Sequence, residues 1–414
     1  MATEIYTEIY NDYNSTYLQS LRNPVLVYKT KILLLSWYES VIDDITDDCL
    51  LPDSSVTYQN EQGIRRTTSV KICNVNHKYD IDTDTPFWSN KKIKILKGLI
   101  VGDNIYYKSL GVFVIKNSSI SNDEITLECA DKYCLLNGDY NTCISNYELQ
   151  IPQTEQISLL SDESIANGMG LKLKSVINDM LKQDLGNGLV TDPISPIIDN
   201  DFSAIYLQKQ IIINNDWTPA DVITELANTY KFSTYYDADG HFKITKDIED
   251  DYYNLAPQWY FENGDCINLT VQNDYTKAVN VVTVQGTDTD GKIYTYTAKN
   301  NSPRSKVNVS LIGERKDSIV EIENGDSELK CKQYANYLLK RKTQDISSVN
   351  FECIPLLHLD INRIISITDD KNNLGRNKYV INSITFPLSV GNMSISCSDI
   401  AYLPFEEITE VNLR

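Results

Sequence analysis

Phe113-Val114-Ile115-Lys116-Asn117-Ser118, followed by Ile125-Thr126-Leu127-Glu128-Cys129 and then Ala130-Asp131, decides how this chain is read, because a second stretch repeats its pattern. Tyr379-Val380-Ile381-Asn382-Ser383-Ile384 leads to Met393-Ser394-Ile395-Ser396-Cys397 and then Ser398-Asp399. Each runs as an aromatic-Val-Ile strand, a turn, an alternating strand closing on Cys, a small residue and Asp. β-Branched enrichment and period-two alternation mark strands. One copy in each half implies two related β-domains, and duplicated domains suit symmetry in an assembly more than a lone active site.

Working outward from the first copy, residues 21–150 read mostly as strands. Ser69-Val70-Lys71-Ile72-Cys73 alternates, Lys92-Ile93-Lys94-Ile95 alternates with its basic residues outward, and Gly111-Val112-Phe113-Val114-Ile115 reads as more buried. A short helix is expected around Trp37 to Ile45. The strand spacing suits a sandwich or barrel. Between 151 and 256 the period becomes helical twice. Val176, Ile177, Met180 and Leu181 share one face. A second helix is marked by Thr218 as N-cap, Pro219 at the first helical position, Asp221 in the first turn, and Val222, Ile223, Leu226, Ala227 and Tyr230 on one face. Asp237-Ala238-Asp239-Gly240 then reads as the turn of a hairpin. From 257 to 405 strands return, interrupted by one helix from about Ser327 to Lys342, whose closing Lys340-Arg341-Lys342 suits its C-terminal dipole.

The first twenty residues stand apart. Thr3-Glu4-Ile5-Tyr6 repeats at once as Thr7-Glu8-Ile9-Tyr10, and Tyr6, Tyr10, Tyr13 and Tyr17 fall on one stripe of a helix. Such a stripe either docks on a neighbouring subunit, or the arm packs on its own domain or stays loose.

At 414 residues the chain has room for two to four domains, and 42% hydrophobic with 23% charged residues is the balance of an ordinary globular protein. Lys and Arg number 38 against 57 Asp and Glu, a formal charge of -19. Stable nucleic-acid binding draws on a basic surface, so this balance disfavours it; an acidic surface still suits a protein beside which DNA must pass without being gripped. No apolar run approaches the roughly 20 residues that cross a bilayer. Nine Cys scattered from Cys49 to Cys397 do not form a disulfide framework and read as free thiols.

Several stretches imitate chemistry. Gly286-Thr287-Asp288-Thr289-Asp290-Gly291-Lys292 nearly spells a phosphate loop, but Ile293 stands where Ser or Thr should follow, and the loop joins strands. Asp237-Ala238-Asp239-Gly240 and Asp288-Thr289-Asp290-Gly291 open like calcium loops without the distal ligands. Asp80, Asp82 and Asp84 alternate ahead of Pro86 and read as a solvated acidic loop. His77, His241 and His358 are far apart, no Cys-x-x-Cys knuckle accompanies them, and hydrolase signatures are missing. No catalytic, cofactor-binding or metal-binding residue is expected, and no cofactor.

Trp217-Thr218-Pro219-Ala220-Asp221-Val222-Ile223 leading to Tyr235-Tyr236-Asp237-Ala238-Asp239-Gly240, then Ala278-Val279-Asn280-Val281-Val282-Thr283-Val284-Gln285-Gly286, Asn301-Ser302-Pro303, Ile312-Gly313-Glu314-Arg315, and Tyr334-Ala335-Asn336-Tyr337-Leu338-Leu339 carry a resemblance. Phe386-Pro387-Leu388 and Met393-Ser394-Ile395 close it, and Arg65-Arg66, Trp88 and Gly111-Val112-Phe113-Val114-Ile115 open it. Together they resemble the tail-hub or baseplate-hub proteins of tailed bacteriophages and related contractile injection systems, over most of residues 21–403. The resemblance implies a mainly β (α+β) fold. Its parts would be an N-terminal helical arm (1–20), a first tail-tube-like antiparallel β-barrel domain (21–150), a smaller α+β connecting region (151–256), a second such domain with one helix (257–405) and a C-terminal tail (406–414).

The implied role is a structural, non-enzymatic one: a homotrimeric ring in the virion, made in the host cytoplasm, whose two barrels per chain match a hexameric tail tube. Its partners would be a tail-tube or distal tail protein and a central spike, plug or lytic tail-tip protein, with a channel left for DNA. Since the chain stops at Arg414 soon after the last expected strand, lytic activity would belong to a partner. The competing readings are a carbohydrate-binding tail fibre or adhesin domain, for which 27 Tyr could supply stacking faces, and a cell-wall glycosidase.

Overall fold

The hairpin around Phe113 lies at the centre of the first of two units into which the chain divides. The computed structural model describes residues 3–6, 15–60, 63–75, 77–80, 88, 90–139, 172–186, 188–207, 217–230, 232–246, 255–287, 291–303, 305–322, 327–344 and 347–400. Unit 1 comprises Met1–Ile248 together with Ile354–His358 and Thr385–Met393, and unit 2 comprises Glu249–Cys353, Leu359–Ile384 and Ser394–Arg414. The fold is mainly antiparallel β with a minority of helix, the class expected from the sequence.

Unit 1 begins with β1 (Thr3–Tyr6), α1 (Ser15–Ser20), β2 (Val27–Leu35), β3 (Val41–Asp44), β4 (Ser55–Gln59), β5 (Arg66–Cys73), β6 (Lys92–Val101), β7 (Asn104–Ser121) and β8 (Glu124–Asp131). Its sheet runs β4-β5-β8-β7-β6-β2-β3, each neighbour antiparallel. The 18-residue β7 is its spine: Asn104–Val114 pairs with β6 and Phe113–Ser121 with β8. A Cβ on Gly111 would sit 2.4 Å from the Phe113 ring, so that ring occupies its place only because position 111 has no side chain. Described strand pairs do not close this sheet into the barrel that the resemblance implies, and its order ends at β3, four residues exposed throughout.

Two expectations fail in this unit. Residues 37–45 form a tight turn and β3 rather than a helix: Ser36 donates its N–H to the Ser40 carbonyl, Glu39 takes φ 66°, and the β-branched pair Val41-Ile42 extends along β2. The N-terminal segment is not one helix either. Thr3–Tyr6 pairs in parallel with Asn104–Tyr107 of β7, filling the edge that β8 leaves free there, and among the described residues of this segment Ser15–Ser20 is helical. Thr-Glu-Ile-Tyr alternates at period two as well as it spaces at four, and the open strand edge satisfies its backbone.

The rest of unit 1 is an α+β layer: α2 (Leu173–Leu181), β9 (Asp184–Gly186), β10 (Leu189–Val190), β11 (Ile197–Ile198), α3 (Asn200–Ser203), α4 (Pro219–Tyr230), β12 (Phe232–Tyr236) and β13 (Phe242–Lys246). Thr218 and Asp221 cap α4 reciprocally: the Asp221 N–H donates to Thr218 Oγ1 at 3.3 Å, and the Thr218 N–H to Asp221 Oδ2 at 2.7 Å. Leu173, Val176, Ile177, Met180 and Leu181 of α2 pack with Val222, Ile223 and Leu226 of α4 and with Phe232, Phe242 and Ile244. Helical spacing brings these apolar residues onto facing stripes.

Unit 2 contains β14 (Trp259–Phe261), β15 (Ile267–Asn273), β16 (Val281–Thr287), β17 (Ile293–Lys299), α5 (Val309–Ile312), β18 (Val320–Ile322), α6 (Glu328–Gln344), β19 (Ser347–Cys353), β20 (Ile364–Asp369), β21 (Leu374–Pro387) and β22 (Met393–Asp399). The main strand order is β15-β19-β22-β21-β20-β14. A separate order, β17-β16-β18, buries Val282, Val284 and Ala298 against Cys331, Ala335 and Leu339 of α6.

The two sheets share a strand order. If each set of four is lettered a to d along the chain, β5-β8-β7-β6 and β19-β22-β21-β20 both run a-d-c-b. The register agrees: Phe113 lies opposite Ile93 and Val114 opposite Lys92, while Tyr379 lies opposite Ile365 and Val380 opposite Ile364. An antiparallel strand flanks each quartet on its first member, β4 on β5 and β15 on β19. The far flank differs, since β2 is antiparallel to β6 and β14 is parallel to β20.

Candidate functional site: a buried ionic node and a clamped hairpin tip

Lys92 and Lys132 have side chains with no solvent exposure. Register puts Lys92 on the face of β6 that the alternation reads as outward, but the α+β layer covers that face, and β6 is buried along most of its length. The outward assignment of the basic residues on this strand is therefore corrected: Lys92 is buried, and Lys94 pairs with Asp239 at 3.1 Å in the β12–β13 turn. Lys92 Nζ donates to the Trp37 carbonyl and to Glu39 Oε1, both at 2.9 Å. Lys132, just after β8, donates to the same Glu39 oxygen at 2.7 Å and to Asp192 Oδ1 at 2.8 Å. Tyr236 of β12 donates its hydroxyl to Asp192 Oδ2 at 2.9 Å.

Two ammonium groups thus share two carboxylates in a space almost wholly closed to solvent, which is sustainable because each charge is paired and hydrogen-bonded. Burial pushes the Glu39 carboxyl up, but the Lys132 and Lys92 charges outweigh it and hold its pKa below the ordinary value. Burial, with Lys132 adding repulsion, lowers the Lys92 pKa. Burial and then the Asp192 charge hold the Tyr236 phenol well above its usual range, so it stays a donor. Glu39, whose backbone takes φ 66°, has its Oε2 3.4 Å from where a Cβ on Gly240 would sit; Gly240 takes φ 84°, and that Cβ would also meet Val112 at 3.0 Å.

Around this node the sheet and the layer are joined again. Asp131 accepts the Arg65 and Arg66 N–H groups on one oxygen, at 2.8 and 2.9 Å, and the Tyr133 N–H on the other at 3.0 Å. The Arg66 guanidinium lies 4.5 Å from the Tyr58 ring centre and donates to the Tyr236 carbonyl. Trp37 Nε1 donates to the Val190 carbonyl at 2.7 Å, and Ser109 to the Ala238 carbonyl at 2.6 Å.

A second polar cluster in unit 1 grips its two late segments. Lys97, also buried, donates to the Ser389 carbonyl at 3.0 Å and to the Pro387 carbonyl, and burial lowers its pKa to about 8. Leu388 donates to the Ser54 carbonyl at 3.0 Å, and the Phe386 ring meets Tyr58 edge-on at 5.4 Å. Tyr28 donates to the Pro355 carbonyl at 2.7 Å, and the Leu357 N–H donates to the Tyr17 hydroxyl at 3.0 Å.

Of the expected tyrosine stripe, Tyr6 is on β1, Tyr17 is buried on α1, and Tyr10 and Tyr13 lie outside the described residues. Asp237-Ala238-Asp239-Gly240 is the β12–β13 turn, closed by Asp237 Oδ1 accepting from the Asp239 and His241 N–H groups. Asp82, Asp84 and Asp288–Asp290 lie outside the described residues. His77 meets Asp80 at 3.0 Å on the surface, His241 meets Asp237 at 3.6 Å, and His358 is buried beside Tyr17. Among the described residues no group of three or more His, Cys, Asp or Glu is placed to hold a metal ion, and no helix is long and apolar enough to cross a membrane.

The node holds parts together and has no reacting geometry: its acids are taken up by lysines, and its phenol has a raised pKa. Sequence reasoning missed Glu39, Lys92, Lys132, Asp192 and Tyr236. The one available signal was that Ile95 to Val101, broken by Lys97 and Gly98, is otherwise apolar, as a strand buried on both faces would be.

No family model matches the chain, and no curated protein matches it. Solved structures do. A tail protein from Neisseria meningitidis MC58 superposes with a TM-score of 0.55 at 10% identity, covering 90% of this chain and 97% of that one. The tail protein of prophage MuSo2 from Shewanella oneidensis gives 0.54 at 13% identity, covering 89% and 98%. Prophage tail protein gp18 from Listeria monocytogenes EGD-e gives 0.51 at 14% identity, covering 89% and 94%. The chain has the fold of these phage tail proteins, in agreement with the resemblance read from its sequence.

Proposed function

We propose that this chain is the structural hub of a phage tail tip or baseplate, a homotrimeric ring in the virion that adapts a hexameric tail tube to a trimeric spike or plug. The carrying observation is that its likeness to three phage tail proteins runs over about nine tenths of its length and nearly the whole of theirs. The repeated a-d-c-b quartet supports the reading, because three chains each carrying two similar sheets can offer six quasi-equivalent contacts. The charge of -19 suits a ring through which DNA moves without being retained. In this reading the ionic node and the clamped tip keep unit 1 rigid under load, and the chain acts through interfaces with a tube or distal tail protein on one side and a spike, plug or lytic tip protein on the other, without catalysis.

Mass in solution with and without the cognate tube protein, combined with electron-microscope images of the mixture, tests it. A threefold ring with a central channel is the expected result. A chain that stays monomeric with the tube protein and binds polysaccharide on a glycan array overturns it in favour of the adhesin reading.

A further inference from the structure

Cys266 immediately precedes β15 and Cys353 is the last residue of β19. These strands are antiparallel, with a register shift between Ile267 and Thr270; on the near side of it Ile267 lies opposite Glu352, and continuing that pairing by one residue sets Cys266 opposite Cys353. Residues directly opposite in an antiparallel pair project to the same face with Cβ atoms about 4.5–5.5 Å apart, and a disulfide, which spans about 3.5–4.5 Å, closes such a pair after a small inward shift. The inner face of β19 carries Ser347, Val349, Phe351 and Cys353, all buried, and Cys266 is partly buried where it joins that face. After burial, the Cys266 charge is what raises the Cys353 thiol most, and it acts on the Cys397 thiol in the same way, so the strand register is what selects between the two partners. Cys397 on β22 is otherwise engaged, since its Sγ contacts the Val349 carbonyl at 3.3 Å.

We propose that Cys266 and Cys353 are a site of reversible disulfide formation, the oxidant being a small-molecule disulfide, RS–SR. The partly exposed Cys266 thiolate attacks one sulfur of RS–SR, forming a mixed disulfide and expelling RS⁻, which takes up a proton. The Cys353 thiolate then attacks the Cys266 sulfur and expels the second RS⁻. Two protein thiols and RS–SR become one protein disulfide and two RSH, two electrons passing from the protein sulfurs to the reagent. Burial followed by the Asp265 and Asp369 charges raises the Cys266 thiol to about 12, so thiolate is scarce and the first step is slow. The same carboxylates select for a cationic reagent over an anionic one. The bond would tie an edge strand to its neighbour across 86 intervening residues, the arrangement in which a crosslink restricts the unfolded chain strongly.

The native full-length chain is incubated at mildly alkaline pH with cystamine or with oxidised glutathione, alkylated, digested without reductant and mapped by mass spectrometry. A peptide joining Cys266 to Cys353 is expected, forming at least about threefold faster with cystamine, the direction expected from the two local carboxylates. The Cys266→Ser variant should yield no crosslink, and Cys353→Ala should accumulate the mixed disulfide at Cys266. Oxidised wild-type protein should melt several degrees higher, and reductant should reverse this. A lasting mixed disulfide on wild-type Cys266, a bond from Cys266 to Cys397, or two unreacted thiols would each overturn the proposal. Should Cys353→Ala fail to fold, the wild-type map and Cys266→Ser decide alone.

Discussion

The quartets β5-β8-β7-β6 and β19-β22-β21-β20 have one strand order and opposite interiors. Where Val114 faces Lys92 in the first, Val380 faces Ile364 in the second. Where Cys129-Ala130-Asp131 ends β8 with a buried carboxylate accepting three backbone N–H groups, Cys397-Ser398-Asp399 ends β22 with a carboxylate paired to exposed Lys306 at 3.2 Å. The shared topology is thus specified by alternation, register and turn placement, and does not need the charges. Charges appear where the α+β layer covers the second face of the sheet, and there they fix which surface of the layer meets it.

The comparison breaks most severely if one member of the node is removed. Lys132→Met leaves Asp192, with no exposed side-chain surface, with only the neutral Tyr236 hydroxyl and Ile194 N–H as partners and takes one of two cations from Glu39. A loss of about 3–5 kcal/mol in unfolding free energy is expected by urea titration. Adding Asp192→Asn should restore part of it, because Tyr236 can still donate to the amide oxygen. A null effect would mean the node is ornamental and the quartets are energetically alike.

Next comes the transplant in the other direction. Ile364→Lys puts the residue of the first quartet into the second, where Ile364 is buried among apolar neighbours. About 2–4 kcal/mol should be lost, the lower end applying if the long side chain reaches water. Tolerance of this change would show that unit 2 holds hidden polar partners.

A finer contrast is available at the two equivalent aspartates. Asp131→Asn sets an amide N–H₂ against at least one backbone donor and should cost about 1–3 kcal/mol. Asp399→Asn loses a largely solvated ion pair and should cost under about 1 kcal/mol. Similar losses at both would imply that the two strand ends do equivalent work.

How much of this was readable beforehand follows from the range of each interaction. Period two at Ser69–Cys73, the buried strand at Gly111–Ile115, the Thr218-Pro219 start of α4 and the Asp237–Gly240 turn are local, and each was placed correctly. Trp37, Val41 and Ile45 are spaced by four and mimic a helix face, but the strand edge of β2 beside them wins. Lys92 in an alternating strand is indistinguishable from a surface lysine until a segment some hundred residues later covers it. Its partner Glu39 is 53 residues away and Lys132 reaches Asp192 across 60, separations that no periodicity records. Cys266 and Cys353 meet only through a register between strands far apart in the chain.

The last contrast separates the units by acid. All three histidines belong to unit 1, and none falls in the segments of unit 2. Burial, then the nearby Lys108 charge, lowers the His358 pKa to about 3, and its ring meets Tyr17 edge-on at 6.0 Å. Between that value and the ordinary 6.5 the unfolded chain binds a proton that the folded one refuses, so stability is fully present above about 6.5 and drains away as pH falls toward 3. His241 works the other way: its hydrogen bond to Asp237 raises its pKa, a contribution present below about 6.5 and lost at higher pH, and solvent weakens it at that partly exposed site. Amide exchange followed from pH 7 to pH 4.5 should therefore show protection falling first around 354–358 and α1, before β19 to β22 respond. His358→Phe should flatten that response while leaving the pH 7 rates nearly unchanged. Simultaneous loss of protection in both sheets, unaltered by His358→Phe, would assign the acid response to carboxylates common to the two units and remove histidine from the contrast.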